Sequence, residues 1–106
     1  VPADPSDRLA YFAGLVAEMP TDPRVRFGYA NELLRAERHE EAVTQLQAYL
    51  ELAEDEGNAW GRLAEALTAL GRRDEAADAY LAGIDQAAKH GHTGMAEDFQ
   101  AALERL

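Results

Sequence analysis

"ERHEEAVTQLQAYL" at residues 37–50 and "GRRDEAADAYLAGI" at residues 71–84 follow one plan. Each opens on a basic, polar turn, sets down a glutamate-alanine pair (Glu41-Ala42, Glu75-Ala76) and continues into an apolar stripe. The two pairs stand 34 residues apart in a chain of only 106. Self-similarity at such a period marks a repeat architecture, whose unit is a supersecondary element unable to bury its apolar face alone. With one unit starting at Pro23, the next starts at Gly57 and a third frame at Gly91, and the register is unbroken.

The stretches around this core read as helices. Asp4-Pro5 and Asp22-Pro23 each place an N-cap acid before a proline at the first helical position. From Pro5, Leu9, Phe12, Val16 and Met19 recur at helical spacing until Pro20 closes the segment. A second helix is predicted from Pro23 to about Glu37, and a third from about His39 to Ala53 with Ala42, Leu46, Tyr49 and Leu50 inward. "NAWGRLAEALTAL" carries Leu63, Leu67 and Leu70 on one stripe and stops at Gly71, the residue type that accepts a left-handed C-terminal turn. A fifth helix is expected from about Arg73 to His90. A sixth follows Gly91, with Thr93 as its N-cap and Met95, Phe99, Ala102, Leu103 and Leu106 on one face. The short loops between them leave no linker, so a single all-α domain over residues 1–106 is expected.

This pattern resembles the tetratricopeptide repeat family. In the second unit the resemblance rests on Trp60, Leu63, Ala64, Leu67, Gly71, Ala76, Tyr80 and Gly83; in the first, on Tyr29, Ala30, Leu33, Ala42 and Leu46. The family needs small residues where the helices of a hairpin approach closely, here Ala30 with Ala42 and Ala64 with Ala76. The first unit departs from the pattern with Arg26 where tryptophan is preferred, Glu37 where glycine is preferred and Tyr49 where a small residue is usual. Phe12 and Pro20 fit the end of a truncated preceding unit. The resemblance therefore implies residues 5–19 as a half-repeat helix, 23–56 and 57–90 as two repeats, and 92–106 as a capping helix. The implied architecture is a short right-handed solenoid of antiparallel hairpins with about six helices.

The same resemblance implies a concave groove, lined by the first helix of each repeat, that holds a peptide or a partner protein. Carried over residue by residue, the groove positions are Arg24, Phe27, Asn31, Leu34 and Arg35 in the first unit, and Asn58, Gly61, Glu65, Thr68 and Ala69 in the second. Asparagine both donates to and accepts from a peptide backbone, and arginine forks onto a carboxylate. Arg24, Asn31 and Arg35 are thus the expected polar anchors, against the alternative that both arginines pair with nearby glutamates on a solvated face. Phe27 is left either facing a ligand or covered by the first helix through Phe12 or Val16. One subset of the family clamps the C-terminal carboxylate of chaperones. Its places hold Phe27, Asn31, Arg62, His92 and Ala96 here, and only Asn31 fits, so that role is rejected.

Composition bounds the remaining classes. Twenty acidic residues face nine arginines and Lys89, for a net charge of −10. No basic cluster exceeds Arg72-Arg73, which argues against nucleic acid and against an anionic membrane surface. Cysteine is absent, so no disulfide or thiolate metal site exists. No run approaches the roughly 18 apolar residues of a membrane span, and nothing resembles a signal peptide. A soluble, cytoplasmic chain is favoured over an exported one, although composition alone leaves the compartment open. The start at Val1 leaves room for an upstream segment or domain. His90 and His92 beside Glu97 suggest metal ligands only weakly; capping and surface placement are the expected roles, and for His39 a turn position. With one serine, Ser6, and histidines confined to turns, no catalytic constellation is legible.

The sequence thus predicts a noncatalytic interaction module without cofactor or metal, binding a protein or peptide, and monomeric rather than dimeric. The alternative is a structural role, self-associating through Met95, Phe99, Leu103 and Leu106 of the last helix or acting as a spacer in a larger protein.

Overall fold

The computed structural model describes residues 4–106. It contains six helices and, among the described residues, no strand: α1 (Pro5–Glu18), α2 (Pro23–Arg35), α3 (His39–Leu52), α4 (Asn58–Ala69), α5 (Arg73–Lys89) and α6 (Thr93–Glu104). They gather into two compact units, one ending at Ala53 and the other spanning Glu54–Leu106.

In the first unit, both Asp-Pro starts behave as their chemistry requires. Asp4 Oδ1 accepts from the Ser6 backbone N–H at 2.9 Å and Asp22 Oδ1 from that of Arg24 at 3.0 Å, satisfying donors that a helix start leaves open. Helices α2 and α3 form an antiparallel hairpin whose meeting residues Ala30, Leu33, Ala42, Val43 and Leu46 are all buried. Ala30 and Ala42 are wholly covered, which is the close approach their small size permits. Helix α1 packs on α2. The Phe12 ring lies where a Cβ on Gly28 would be, within 2.7 Å, so the helix seats its aromatic on a glycine. Met19, expected inward, stays exposed at the C-cap of α1, beyond the last helical turn.

The second unit repeats the hairpin and adds α6. Leu63, Ala64 and Leu67 of α4 and Ala76, Ala79 and Tyr80 of α5 form its core. Helix α6 packs on α5, with Phe99 covering Gly61 and Gly83 and the Met95 sulfur against Gly57. The α4 start is built differently from those of α1 and α2. Asp55 is buried and its Oδ2 accepts from the Gly57 and Ala59 backbone N–H groups, both at 2.9 Å. Glu54 and Glu56 on either side of it are exposed, so the middle acid of this run alone turns inward, to cap a helix. The start of α6 also differs from expectation. Thr93 is the first helical residue, His92 occupies the cap position, and no side chain caps it.

Three helices end in the same left-handed turn. After α2, Glu37 N–H donates to Leu34 O and Arg38 N–H to Leu33 O; after α4, Gly71 N–H donates to Thr68 O and Arg72 N–H to Leu67 O. After α5, Gly91 and His92 bond Ala88 and Ala87 in the same way. The turn residue has positive φ each time: 58° at Glu37, 75° at Gly71 and 77° at Gly91.

Candidate partner-binding surface

The expected anchors on α2 fall into different environments. Arg24 is almost fully exposed, yet its Nε and Nη2 fork onto the carboxylate of Asp22 at 3.2 and 2.9 Å. The hydrogen bond from Arg24 is the main reason that the Asp22 carboxyl is held below its ordinary value. Arg35 lies eleven residues further on, about 16 Å along the helix axis. The two arginines therefore do not form one island, and each has an acidic partner.

Arg35 and Asn31 do belong together, since residues four apart share a helix face. Asn31 Oδ1 is buried, and no donor among the described residues reaches it. Such an acceptor costs about 1–3 kcal/mol while it stays unpaired. Arg35 Nη1 donates to Glu32 Oε1 at 2.7 Å, but its side chain remains 69% exposed. Leu34 is half-buried between these polar neighbours.

Phe27 is half-buried. Its ring lies 4.9 Å from that of Tyr49 at a tilt of 41°. The Phe12 ring of α1 lies over Gly28, the next residue along α2. Tyr49, the bulky departure from the family pattern, thus has a packing role that sequence alone did not assign.

In the second unit, Asn58, Glu65, Thr68 and Ala69 are exposed along α4. Thr68 Oγ1 donates to the Ala64 carbonyl at 2.8 Å. Gly61, carried over as a groove residue, is buried beneath Phe99. Asn58, Gly61 and Glu65 instead line a cleft of about 230 Å³ whose far wall is Met95 and Phe99 of α6. Helix α6 therefore leans over this face of α4.

Two features escaped the sequence reading. One is Glu32, a buried carboxylate whose Oε1 accepts from Arg8 Nη2 at 2.6 Å, Arg8 Nε at 3.2 Å and Arg35 Nη1. These guanidinium groups, Arg8 first, hold its carboxyl below the ordinary range. The Glu32–Arg35 half was legible as a three-residue spacing on a helix, but Arg8 arrives from another helix. The other is the pair of His92 Nε2 with Glu56 Oε1 at 2.7 Å, which lowers the Glu56 carboxyl. No group of three or more histidine, aspartate or glutamate side chains among the described residues is placed to hold a metal ion. No helix among them is long and apolar enough to cross a membrane.

Two helix hairpins in a 34-residue register, with small residues at the contacts within each, define a helical-repeat protein. The sequence matches the tetratricopeptide repeat family over residues 3–87, and the chain belongs to that family. The fold is similar to the solution structure of protein BPP2914 from Bordetella parapertussis, with a TM-score of 0.76 and 23% identity, covering 92% of this chain and 84% of that one. No curated protein matches the sequence. Repeats of this family generally mediate protein–protein interaction and are typically noncatalytic.

Proposed function

We propose that the chain is a noncatalytic interaction module that receives an extended peptide or a segment of a partner protein on the exposed stripe of α2, with Asn31 and Arg35 as its polar anchors. The observation that supports this most is the buried Asn31 acceptor without a donor, one helical turn from an arginine whose outer edge is open. A peptide N–H would satisfy the first and a carboxylate or carbonyl the second. Arg24 is a weaker anchor because Asp22 already occupies its fork.

Affinity capture from source-cell lysate tests the proposal. The native chain is compared with Asn31→Ala/Arg35→Glu and, separately, Arg24→Glu, all at equal helicity. Proteins lost by the first variant and retained by the second would support recognition at Asn31 and Arg35. Equal retention by all three would remove the α2 stripe from consideration.

Self-association through α6 is less favoured by the geometry. Met95 and Phe99 are committed to Gly57, Gly61 and Gly83 inside their own unit, which suits a capping helix and a monomer. Light scattering is expected to give a mass independent of concentration; a mass that doubles with concentration would revive the alternative.

A further inference from the structure

We infer that the cleft between α1 and α2 is a binding site for an aliphatic carboxylate, held by Arg8 and Arg35 in addition to Glu32. The cleft has a volume of about 370 Å³ and is lined by Pro5, Arg8, Leu9, Glu32, Arg35 and Ala36. That is enough space for a small ligand and too little for a folded element.

The charges are unequal. Arg8 and Arg35 both donate to one atom, Glu32 Oε1, and among the described residues neither has a second acidic partner. Two cations therefore share one anion, so the Arg8–Glu32–Arg35 cluster by itself carries +1 on a chain of net charge −10. The contrast with Arg24 is direct, since its carboxylate is its own. Arg8 uses its Nε and Nη2 and Arg35 its Nη1 on Glu32, so the other guanidinium N–H groups remain as donors for an incoming anion. A second carboxylate brings the cluster to neutrality. Ionic screening keeps the distant acidic surface from overriding this local attraction, because exposed charges are felt over only about 8 Å at physiological salt.

The rest of the lining selects the ligand. Pro5, Leu9 and Ala36 supply apolar surface beside the guanidinium groups, which fits a carboxylate on a short branched hydrocarbon. The C-terminal residue of a peptide ending in leucine and a free short-chain carboxylate share that chemistry. The site goes beyond the α2 stripe, because half of its charge comes from α1.

The probes are N-acetyl-Gly-Leu with a free carboxylate, the same peptide amidated at its C-terminus, and isovalerate, each titrated into the ¹⁵N-labelled full chain at about 0.15 M salt. Saturable shifts at Arg8, Arg35 and Ala36 are expected with the free-acid peptide and not with the amide. Isovalerate binding as tightly as the free-acid peptide would identify a free carboxylate as ligand; weaker binding would identify a peptide terminus. Arg35→Gln, at an exposed position, should weaken binding by about tenfold or more, as loss of a charge-assisted hydrogen bond does. Glu32→Gln should strengthen it, since both guanidinium groups are then released. Equal binding of acid and amide, no saturable shift with any probe, or an Arg35→Gln variant that binds like the native chain would overturn the inference. Loss of lysate partners in Asn31→Ala alone, with carboxylate binding intact, would separate this site from the α2 stripe.

Discussion

Replacing Glu37 with glycine should stabilise the protein, although it removes a whole side chain. Glu37 is the sole non-glycine residue with positive φ among the described residues, at 58°. It occupies the same place in its turn as Gly71 does 34 residues later, with the same pair of hydrogen bonds closing the helix end. Holding a residue with a Cβ in this conformation costs about 1–2 kcal/mol. Glycine removes that cost but gives the unfolded chain more freedom, which returns about 0.4–1 kcal/mol. The Glu37 side chain is exposed and has no hydrogen bond to lose. The balance is a gain of about 0.5–1 kcal/mol for Glu37→Gly, or a few degrees in Tm at this chain length. Gly71→Glu runs the same terms backwards and should lose a similar amount. Thermal and urea unfolding followed by circular dichroism measure both. If Glu37→Gly were neutral or destabilising while Gly71→Glu was destabilising, conformational strain would not govern the first turn, and the reasoning would fail there.

Three further outcomes follow from packing, capping and charge. Gly61→Ala should destabilise the second unit by about 1–3 kcal/mol, because its Cβ would fall 2.3 Å from the Phe99 ring; Phe99→Leu in the same chain should recover part of the loss in a double-mutant cycle. Asp55→Ala should cost about 1–2 kcal/mol and fray the first turn of α4 in hydrogen exchange, since it leaves two backbone donors without their acceptor. The Glu32 carboxyl is depressed below its ordinary value of 4.5, so its contribution is fully present above that pH and is lost as pH falls through the lower folded value. Acid titration of stability should therefore show a drop below about pH 4.5 that is shallower in Glu32→Gln.

Local chemistry explains what the sequence revealed. Pro5 and Pro23 after aspartate, and Gly71 and Gly91 after apolar stripes, set helix ends through bonds to residues no more than five positions away, and the observed ends fall within two residues of those expected. The hairpin contacts were also legible, because Ala30, Ala42, Ala64 and Ala76 keep the 34-residue register. What stayed hidden depends on which side chain arrives from elsewhere. Nothing near Gly28 or Gly61 in sequence announces that Phe12 and Phe99 will rest on them. Likewise, nothing in the run Glu54-Asp55-Glu56 marks its middle acid as the one that caps α4 from four residues before Ala59.

The arginines show how such long-range arrivals change a functional reading. Arg24, Arg38 and Arg72 each pair with an acid two or three residues away, and those pairs were within reach of the sequence. Exposed pairs of this kind contribute little to stability and leave little charge for a partner. Arg35 follows the same rule toward Glu32, and from sequence it would be equally neutral. Arg8 alters that result by taking the same oxygen at 2.6 Å, so Arg35 keeps an open edge although its nearest acid is only three residues away. Of the two arginines first placed on the stripe, the one available to an anion is therefore the one that shares its carboxylate. Its availability depends on α1 staying docked, which ties the recognition proposed for Arg35 to the seating of Phe12 on Gly28.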